Sequence, residues 1–176
     1  MYRRDRERKD ACFEVGHGSQ EPVELLFQGE VNDLLGRQQA ETLYRIPLRR
    51  RTSIKDLVES LGLPHTEVGH LEADGSPIGW DHRPGPGERI RVAPLQQPVD
   101  VRCWSRLHPH PLEQERFVVD VNVGKLARKL RLLGFDAAYH WTWTDEQIAD
   151  IASREGRIVL TKDVALLKRR KVIWGR

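Results

Sequence analysis

Hydrophobic and polar positions in the first half of the chain predict two strands, a helix and further short strands. VELLFQG from Val23 suits a strand, and polar and apolar residues alternate in TLYRIPL from Thr42, as they do in a strand with one buried face. RRRTSIKDLVESLGLP predicts a helix that Thr52 or Ser53 caps and that Gly62 stops. Two short strands around an Asp-Gly turn, and a last strand in GERIRVAP, are expected to follow.

In the last third of the chain, short apolar strands alternate with helices. Strands are predicted in FVV, FDAAY and RIVL, and helices in GKLARKLRLLGF, after Thr144 and near Val164. We expect Leu126, Leu130 and Leu133 to form the buried face of the first of these helices. The β-α-β-α-β-α order predicts a parallel sheet flanked by helices, with a functional crevice outside the carboxyl ends of its strands.

Three aspartates are predicted at that edge of the sheet. Asp120 follows the first strand, Asp145 opens the helix after the second, and Asp163 follows the third. Carboxylates that lie close together repel one another unless a cation joins them, and Mg²⁺ prefers oxygen ligands. We therefore predict a metal site that activates water for attack on a phosphodiester, with Thr161 hydrogen-bonded to a carboxylate or to a metal-bound water. From spacing alone, simple capping of helices and turns by these aspartates remains an alternative.

Basic residues are concentrated in the same third of the chain. The net charge over 176 residues is +3, but residues 117–176 hold 12 Lys+Arg against 7 Asp+Glu. Such an excess is typical of proteins that bind phosphates, although a solvated charged surface gives the same composition. We predict that Lys125, Arg128 and Lys162 neutralise the phosphates of an incoming nucleic-acid strand.

Other residue types exclude several classes of protein. Cys12 and Cys103 are far apart, so neither a disulfide framework nor a cysteine zinc site is predicted. No window is long and apolar enough to span a bilayer, and we expect a cytoplasmic protein. The seven histidines lack a ligand spacing and are expected on the surface or in loops. Trp141 and Trp143 are expected to close an edge of the core.

Composition divides the chain into four parts. We assign 1–22 to a flexible charged N terminus, 23–95 to a first domain, 96–115 to a proline-rich linker and 116–176 to a second domain.

The first domain resembles the ubiquitin-like β-grasp fold, and within that fold it is most similar to the sulfur carriers. TSIKDLVESLGLPHTEV, the Asp-Gly turn and GERIRVAP carry this resemblance. A sulfur carrier ends in Gly-Gly, whereas here the chain continues after the last strand of the domain. We therefore expect a module that binds an unidentified protein partner rather than a carrier.

The second domain resembles the PIN-like ribonuclease domain of the mut-seven C-terminal family, which in bacteria often follows a ubiquitin-like domain. GKLARKLRLLGFD and GRIVLTKD carry this resemblance. It implies Mg²⁺ or Mn²⁺, and the family's site positions match Asp120, Asp145, Asp163, Thr161 and Lys125. Family members usually continue with further elements, so the PIN-like domain is predicted to be C-terminally shortened. The expected fold class is therefore α+β for the first domain and α/β for the second.

The sequence as a whole predicts a metal-dependent ribonuclease, that is, a hydrolase acting on RNA. The basic cluster Lys168, Arg169 and Arg170 is expected to contact RNA, with Trp174 nearby for stacking on a base. The alternative is a catalytically inactive protein that binds RNA or a ribonucleoprotein through the basic face of the PIN-like domain. No membrane contact is expected, and a homodimer is left open.

Overall fold

The computed structural model describes residues 21–36, 41–48 and 51–176 of the protein. The flexible N terminus predicted for residues 1–22 therefore lies, up to residue 20, outside the described residues, as does Cys12. The elements of the first domain are β1 Val23–Gln28, α1 Val31–Leu34, β2 Glu41–Ile46, α2 Ile54–Ser60, a 3₁₀ turn His65–Glu67, β3 Val68–Ala73, β4 Ser76–Pro77 and β5 Arg89–Pro94.

The first domain is a five-stranded mixed sheet packed against α2. The strand order is β2-β1-β5-β3-β4, and β1 pairs with β5 in parallel. Alternation along β1 buries Val23, Leu25 and Phe27, which pack with Ile54 and Val58 of α2 in one apolar cluster. The predicted ubiquitin-like arrangement is confirmed.

Capping and turn residues define the ends of two elements as the sequence predicted. Ser53 is the N-cap of α2, and its hydroxyl accepts a hydrogen bond from the backbone N of Asp56 at 3.2 Å. Asp74 and Gly75 make the turn between β3 and β4, with φ angles of 45° and 86°. This left-handed region is one that aspartate and glycine tolerate better than other residues, which explains the Asp-Gly pair.

The second domain has the predicted alternation of strands and helices. Its elements are β6 Arg116–Val119, a 3₁₀ turn Val121–Val123, α3 Gly124–Leu132, β7 Asp136–Ala138, α4 Asp145–Glu155, β8 Ile158–Leu160 and α5 Val164–Leu167. The three strands are parallel in the order β7-β6-β8. Val118 and Val159 pack in one apolar cluster with residues of α4 and α5, while Val119 packs in another with Ala127 of α3.

The last residues of the chain run beside β8. The backbone N of Val159 donates to Trp174 O at 3.0 Å, and the N of Thr161 donates to Arg176 O at 2.9 Å. A Cβ atom on Gly175 would lie 2.6 Å from Leu167 Cδ2, so a larger residue at this position would force the buried Leu167 side chain to shift. Three residues at the end of the chain therefore extend the sheet beyond its three named strands.

The prediction that leucines form the buried face of α3 is wrong. Ala127 is the buried residue of this helix, Leu130 is half-buried, and Leu133, just past its end, is 74% exposed. Ala127 packs with Val119 and Ala137, and these small side chains let the helix approach a short sheet closely. Leu126 lies about 100° around the helix from Ala127, which places it at the edge of the contact.

Side-chain contacts join the two domains, and one of them comes from His65, a residue that was expected on the surface or in a loop. His65 is buried, and its Nε2 donates to Val172 O at 2.7 Å while its Nδ1 lies 2.7 Å from Glu59 Oε1. Lys168 Nζ donates to Glu59 O at 2.8 Å. The 3₁₀ turn of the first domain and the end of α2 are thus bonded to the region that follows α5.

The segment predicted as a linker is itself part of this junction. Leu107 belongs to the apolar cluster of the first domain. His108 is buried and stacks on Trp174, with ring centroids 4.0 Å apart and planes at 19°. The prediction that Trp174 is available for stacking on a base is therefore wrong, because its side chain is only 6% exposed.

Two further expectations from composition concern cysteine and the membrane. Cys103 is an exposed free thiol. Among residues 21–36, 41–48 and 51–176, no helix combines the length and hydrophobicity needed to cross a bilayer.

The His108 stack predicts a pH dependence of stability. Burial, with a smaller contribution from His65, lowers the pKa of His108 from 6.5 to about 4. Between these pH values the unfolded chain binds a proton that the folded chain does not. The free energy of unfolding should therefore fall as pH decreases from about 6.5 to about 4, by up to about 3 kcal/mol from this residue.

Urea unfolding of the wild type and of His108→Phe across this pH range checks the prediction. Phenylalanine keeps an aromatic ring on Trp174 but cannot titrate, so the variant should lose less stability on acidification. Equal pH slopes for the two proteins would contradict the assignment.

Candidate active site at the carboxyl edge of the parallel sheet

A buried carboxylate marks the point where β6 ends. Asp120 is 4% exposed, and both of its oxygens accept hydrogen bonds, Oδ1 from Val121 N at 2.6 Å and Oδ2 from Thr161 Oγ1 at 2.6 Å. Its own backbone N donates to Leu160 O at 3.0 Å. The carboxyl ends of β6 and β8 are thus fixed against each other through this one residue.

Thr161 connects Asp120 to two further polar residues. Its hydroxyl oxygen accepts from Asn122 Nδ2 at 3.1 Å and from Asp163 N at 2.9 Å. Asn122 Oδ1 in turn accepts from Lys162 N at 3.1 Å, so one amide side chain bonds two positions of the loop after β8. The sequence-based prediction missed Asn122, although an amide that both donates and accepts, two residues after Asp120, was a usable signal.

The structure brings Asp163 to this network but gives Asp145 a different contact. Asp163 is the N-cap of α5, and its Oδ1 accepts from Ala165 N at 2.7 Å. Asp145 is the first residue of α4, behind the predicted cap Thr144, and its Oδ2 lies 3.8 Å from Arg169 Nη2. Capping therefore accounts for part of the bonding of Asp163, as the alternative from the sequence allowed, whereas Asp145 lies beside Arg169.

A divalent cation at this edge would need several oxygen ligands close together. Within the described part of the chain, no group of three or more His, Cys, Asp or Glu residues is placed to hold a metal ion. The arrangement therefore does not fit an ion held by Asp120, Asp145 and Asp163 together. Thr161 bonds the Asp120 carboxylate and the backbone N of Asp163, and carboxylate oxygens are the ligand type that a hydrated Mg²⁺ or Mn²⁺ takes, one or two at a time.

The basic cluster after α5 is largely engaged within the protein. Lys168 donates to Glu59 O, Arg169 lies by Asp145, and Lys171 Nζ is hydrogen-bonded to Asp150 Oδ1, a contact that raises the pKa of Lys171. Arg170 is exposed. Lys168 thus has a structural contact in addition to the phosphate-binding role that its charge suggested.

Exposed basic residues remain on α3 and in the loop after β8. They are Lys125, Arg128, Lys129 and Lys162. The ion pairs found among the described residues include none of these four. Sequence reasoning named three of them as phosphate contacts, and Lys129 joins them because it too is exposed on the same helix.

A second acidic group at the opposite end of the strands is structural. Arg157, just before β8, donates to both carboxylate oxygens of Asp136, at 2.8 and 3.1 Å, and to Glu155 at 2.7 Å. Hydrogen bonds from Arg157 lower the pKa of both carboxyl groups. This ion-pair group lies at the amino edge, away from Asp120.

Tyr139 is a further residue of the functional edge that sequence reasoning missed. It follows β7, and a Cβ atom built on Gly124 would lie 2.7 Å from its hydroxyl oxygen. Glycine at position 124 therefore allows the tyrosine ring to lie against the start of α3. Packing against Tyr139 therefore explains why the first residue of the Gly-Lys pair at the start of this helix is glycine.

The protein belongs to the class in which a ubiquitin-like domain is followed by a small parallel-sheet domain with a buried acid at the carboxyl edge of its sheet. Residues 20–100 match the family model of the Mut7-C ubiquitin domain, and residues 115–174 match that of the Mut7-C RNAse domain. The chain belongs to this family, in the domain order that the sequence predicted. The second match assigns residues 115–174 to an RNAse domain, which suggests a ribonuclease-like function and implies RNA as the substrate. No curated protein and no solved structure matches the chain.

The hydroxyl of Thr161 should be required for stability. In Thr161→Val the buried Asp120 loses a hydrogen-bond donor, and we expect a loss of about 1–3 kcal/mol in the free energy of unfolding. Thr161→Ser keeps the hydroxyl and serves as the matched control in urea unfolding. If the valine variant were at least as stable as the serine variant, the bond would contribute nothing measurable.

Proposed function

We propose that the protein hydrolyses RNA phosphodiester bonds at the carboxyl edge of its parallel sheet, with Asp120 as the central catalytic residue. The observation that supports this most is the buried, doubly hydrogen-bonded carboxylate of Asp120. Burying a carboxylate is unfavourable unless its oxygens are bonded, and this chain supplies both bonds from neighbouring elements. A strongly oriented acid at the carboxyl end of parallel strands is in the position where such sheets carry their sites.

The proposal includes Mg²⁺ or Mn²⁺ as cofactor, held by Asp120 and Asp163. When bound, the ion would supply Lewis-acid polarisation of the phosphate and a more acidic water. Thr161 would orient the Asp120 carboxylate through its 2.6 Å bond and keep Asp163 beside it through the 2.9 Å bond to the backbone. Asp145 would contribute as a third acid only after leaving Arg169, from which it is 3.8 Å away in this structure.

RNA phosphates would be bound by the exposed cations of α3 and of the loop after β8. Lys125 opens α3, four residues after Val121, and Lys162 lies in the loop bonded to Asn122. Both therefore lie in segments adjoining the Asp120 network. Arg128 and Lys129 extend the basic surface along the helix, so that a strand could follow it towards Asp120.

One observation favours a second candidate, an RNA-binding protein without turnover. Among the residues that the structure describes, three acids are not gathered in one metal-binding group. If the site stays in this arrangement, the basic surface would bind RNA and no bond would be broken. The two candidates differ in whether RNA is consumed, so a cleavage assay separates them directly.

Asp120→Asn should reduce the rate of RNA cleavage by more than about 100-fold, because it removes the oriented carboxylate while keeping the size of the side chain. A labelled single-stranded RNA incubated with Mg²⁺ or Mn²⁺ gives the rate, and a chelator should stop it. Asp136→Asn, at the opposite edge, is the control and should cleave normally.

Circular dichroism must show that the Asp120→Asn protein is folded; if it is not, Asp163→Asn takes its place. Cleavage by either folded variant at the wild-type rate would exclude that aspartate from the site. Cleavage that persists in a chelator would exclude the metal. RNA binding without any cleavage by the wild type would leave the second candidate.

The basic residues of α3 should determine how salt affects RNA binding. The logarithm of the binding constant falls with the logarithm of salt concentration, and each phosphate contact on a single strand adds about 0.7 to the steepness of this fall. Lys125→Ala/Arg128→Ala should therefore make the slope less steep by about 1.4. The control Arg83→Ala/Arg106→Ala removes two exposed charges elsewhere and should leave the slope unchanged. A fluorescence-anisotropy titration at several salt concentrations measures both slopes, and equal slopes would place the RNA on another face.

A further inference from the structure

Trp141 is a large aromatic residue that the structure leaves in water. Its side chain is 72% exposed, whereas Trp143, two residues later, packs against the apolar cluster of α4 and β8. The expectation that both tryptophans close the core is thus confirmed for Trp143 and wrong for Trp141. The two rings cannot both reach the core because the intervening segment is a turn rather than an extended strand.

The exposed ring is held by its neighbours. His140 stacks on Trp141 with ring centroids 6.1 Å apart and planes at 20°, and it also contacts Trp143 with centroids 5.9 Å apart. Thr142 N donates to His140 Nδ1 at 3.3 Å, and the Thr142 hydroxyl lies 2.7 Å from the same nitrogen. His140 is therefore positioned by two bonds and by the anchored Trp143, and it supports one face of Trp141.

This aromatic turn, residues 140–143, lies at the same edge of the sheet as Asp120. It follows β7, whose parallel neighbour β6 ends at Val119, immediately before Asp120. Tyr139, which leads into the turn, lies against Gly124 at the start of α3. The exposed ring and the exposed side chain of Lys125 therefore belong to adjoining segments, one aromatic and one basic.

We propose that Trp141, supported by His140, is a stacking platform for a base of single-stranded RNA bound beside Asp120. This inference rests on the proposed function and deepens it by naming the form of the substrate. Single-stranded nucleic acid is bound by aromatic rings that stack on bases and by cations that follow the backbone, and this edge offers both. Bases within a duplex are already stacked on each other, so the platform selects unpaired segments over double-stranded RNA.

The stacking contribution can be measured without turnover. The full chain carrying Asp120→Asn serves as the background, with labelled oligouridine, which has little structure of its own, as the probe. Adding Trp141→Ala should weaken binding about 5-fold to 150-fold, the range expected for the loss of one base–aromatic stack. Trp141→Phe should recover most of the affinity, because it restores an aromatic face.

A matched control comes from the segment between the domains. Trp104 is 65% exposed and lies outside the aromatic turn, so Trp104→Ala removes a similar surface from the same chain. Its affinity for oligouridine should equal that of the background. If Trp141→Ala binds oligouridine as tightly as Trp104→Ala does, the inference is wrong.

Two further readouts separate stacking from a general loss of RNA binding. Trp141→Ala removes no charge, so the slope of log K against log salt concentration should not change while the affinity falls. Inorganic polyphosphate has no bases, so its binding should be the same with and without Trp141. A parallel loss of polyphosphate binding, or a change in slope, would show that Trp141 acts on the fold of the edge and would overturn the platform.

The same variants in the chain with an intact Asp120 distinguish this inference from the proposed function. Trp141→Ala should raise KM for oligouridine cleavage with little change in kcat, as expected when a binding contact is lost that is equally strong in the transition state. Cleavage that depends on Asp120 but not on Trp141 would refute the platform alone. Cleavage that is unaffected by Asp120→Asn would refute the proposed site, whatever Trp141 does.

Discussion

At the carboxyl edge of the second domain, a hydroxyl on one strand end donates to a buried carboxylate on the next, with Thr161 Oγ1 2.6 Å from Asp120 Oδ2. A buried carboxylate destabilises a fold unless its oxygens are bonded, so this contact and the Val121 N–H make the position of Asp120 tolerable. Because the same hydroxyl accepts from the loop that leads to Asp163, the ends of β6 and β8 and the start of α5 depend on one another. The candidate site is thus a consequence of how two adjacent strands are joined, and its geometry could not change without loosening the sheet.

The sequence was sufficient for most of the order of elements and for the placement of Asp120 after β6, because both follow from local patterns, although it missed the short helix α1. The strand periods, the cap at Ser53, the cap at Thr144 and the Asp-Gly turn each depend on residues close in sequence. The errors concern contacts between distant elements. Leucines at helical spacing on α3 look like a buried face, but the sheet beneath is narrow and accepts Ala127. Basic residues after α5 look available for RNA, but Lys168 has an acceptor 109 positions away, in the first domain.

The sequence also does not distinguish exposed tryptophans from buried ones. Trp174 and Trp141 each stand near basic or polar residues, and nothing in their immediate neighbours distinguishes them. Trp174 is covered by His108 from the segment between the domains, whereas Trp141 stacks on the adjacent His140 and remains in water. Only the tertiary arrangement decides which of the two rings a nucleotide can reach. The match to the Mut7-C RNAse domain implies RNA as the class of substrate, and the proposed contacts with that substrate rest on the exposed rings and cations of the second domain.

The junction between the domains has a property that follows from its chemistry. Both side-chain hydrogen bonds that join α2 and the 3₁₀ turn to the region after α5 end on main-chain carbonyl oxygens, those of Glu59 and Val172. A carbonyl acceptor is present whatever residue occupies the position. The two acceptors therefore do not depend on which side chains positions 59 and 172 carry, whereas the two donors are the side chains of His65 and Lys168, one in each domain. These bonds act beside the stack of His108 on Trp174, so the junction combines main-chain acceptors with an aromatic contact.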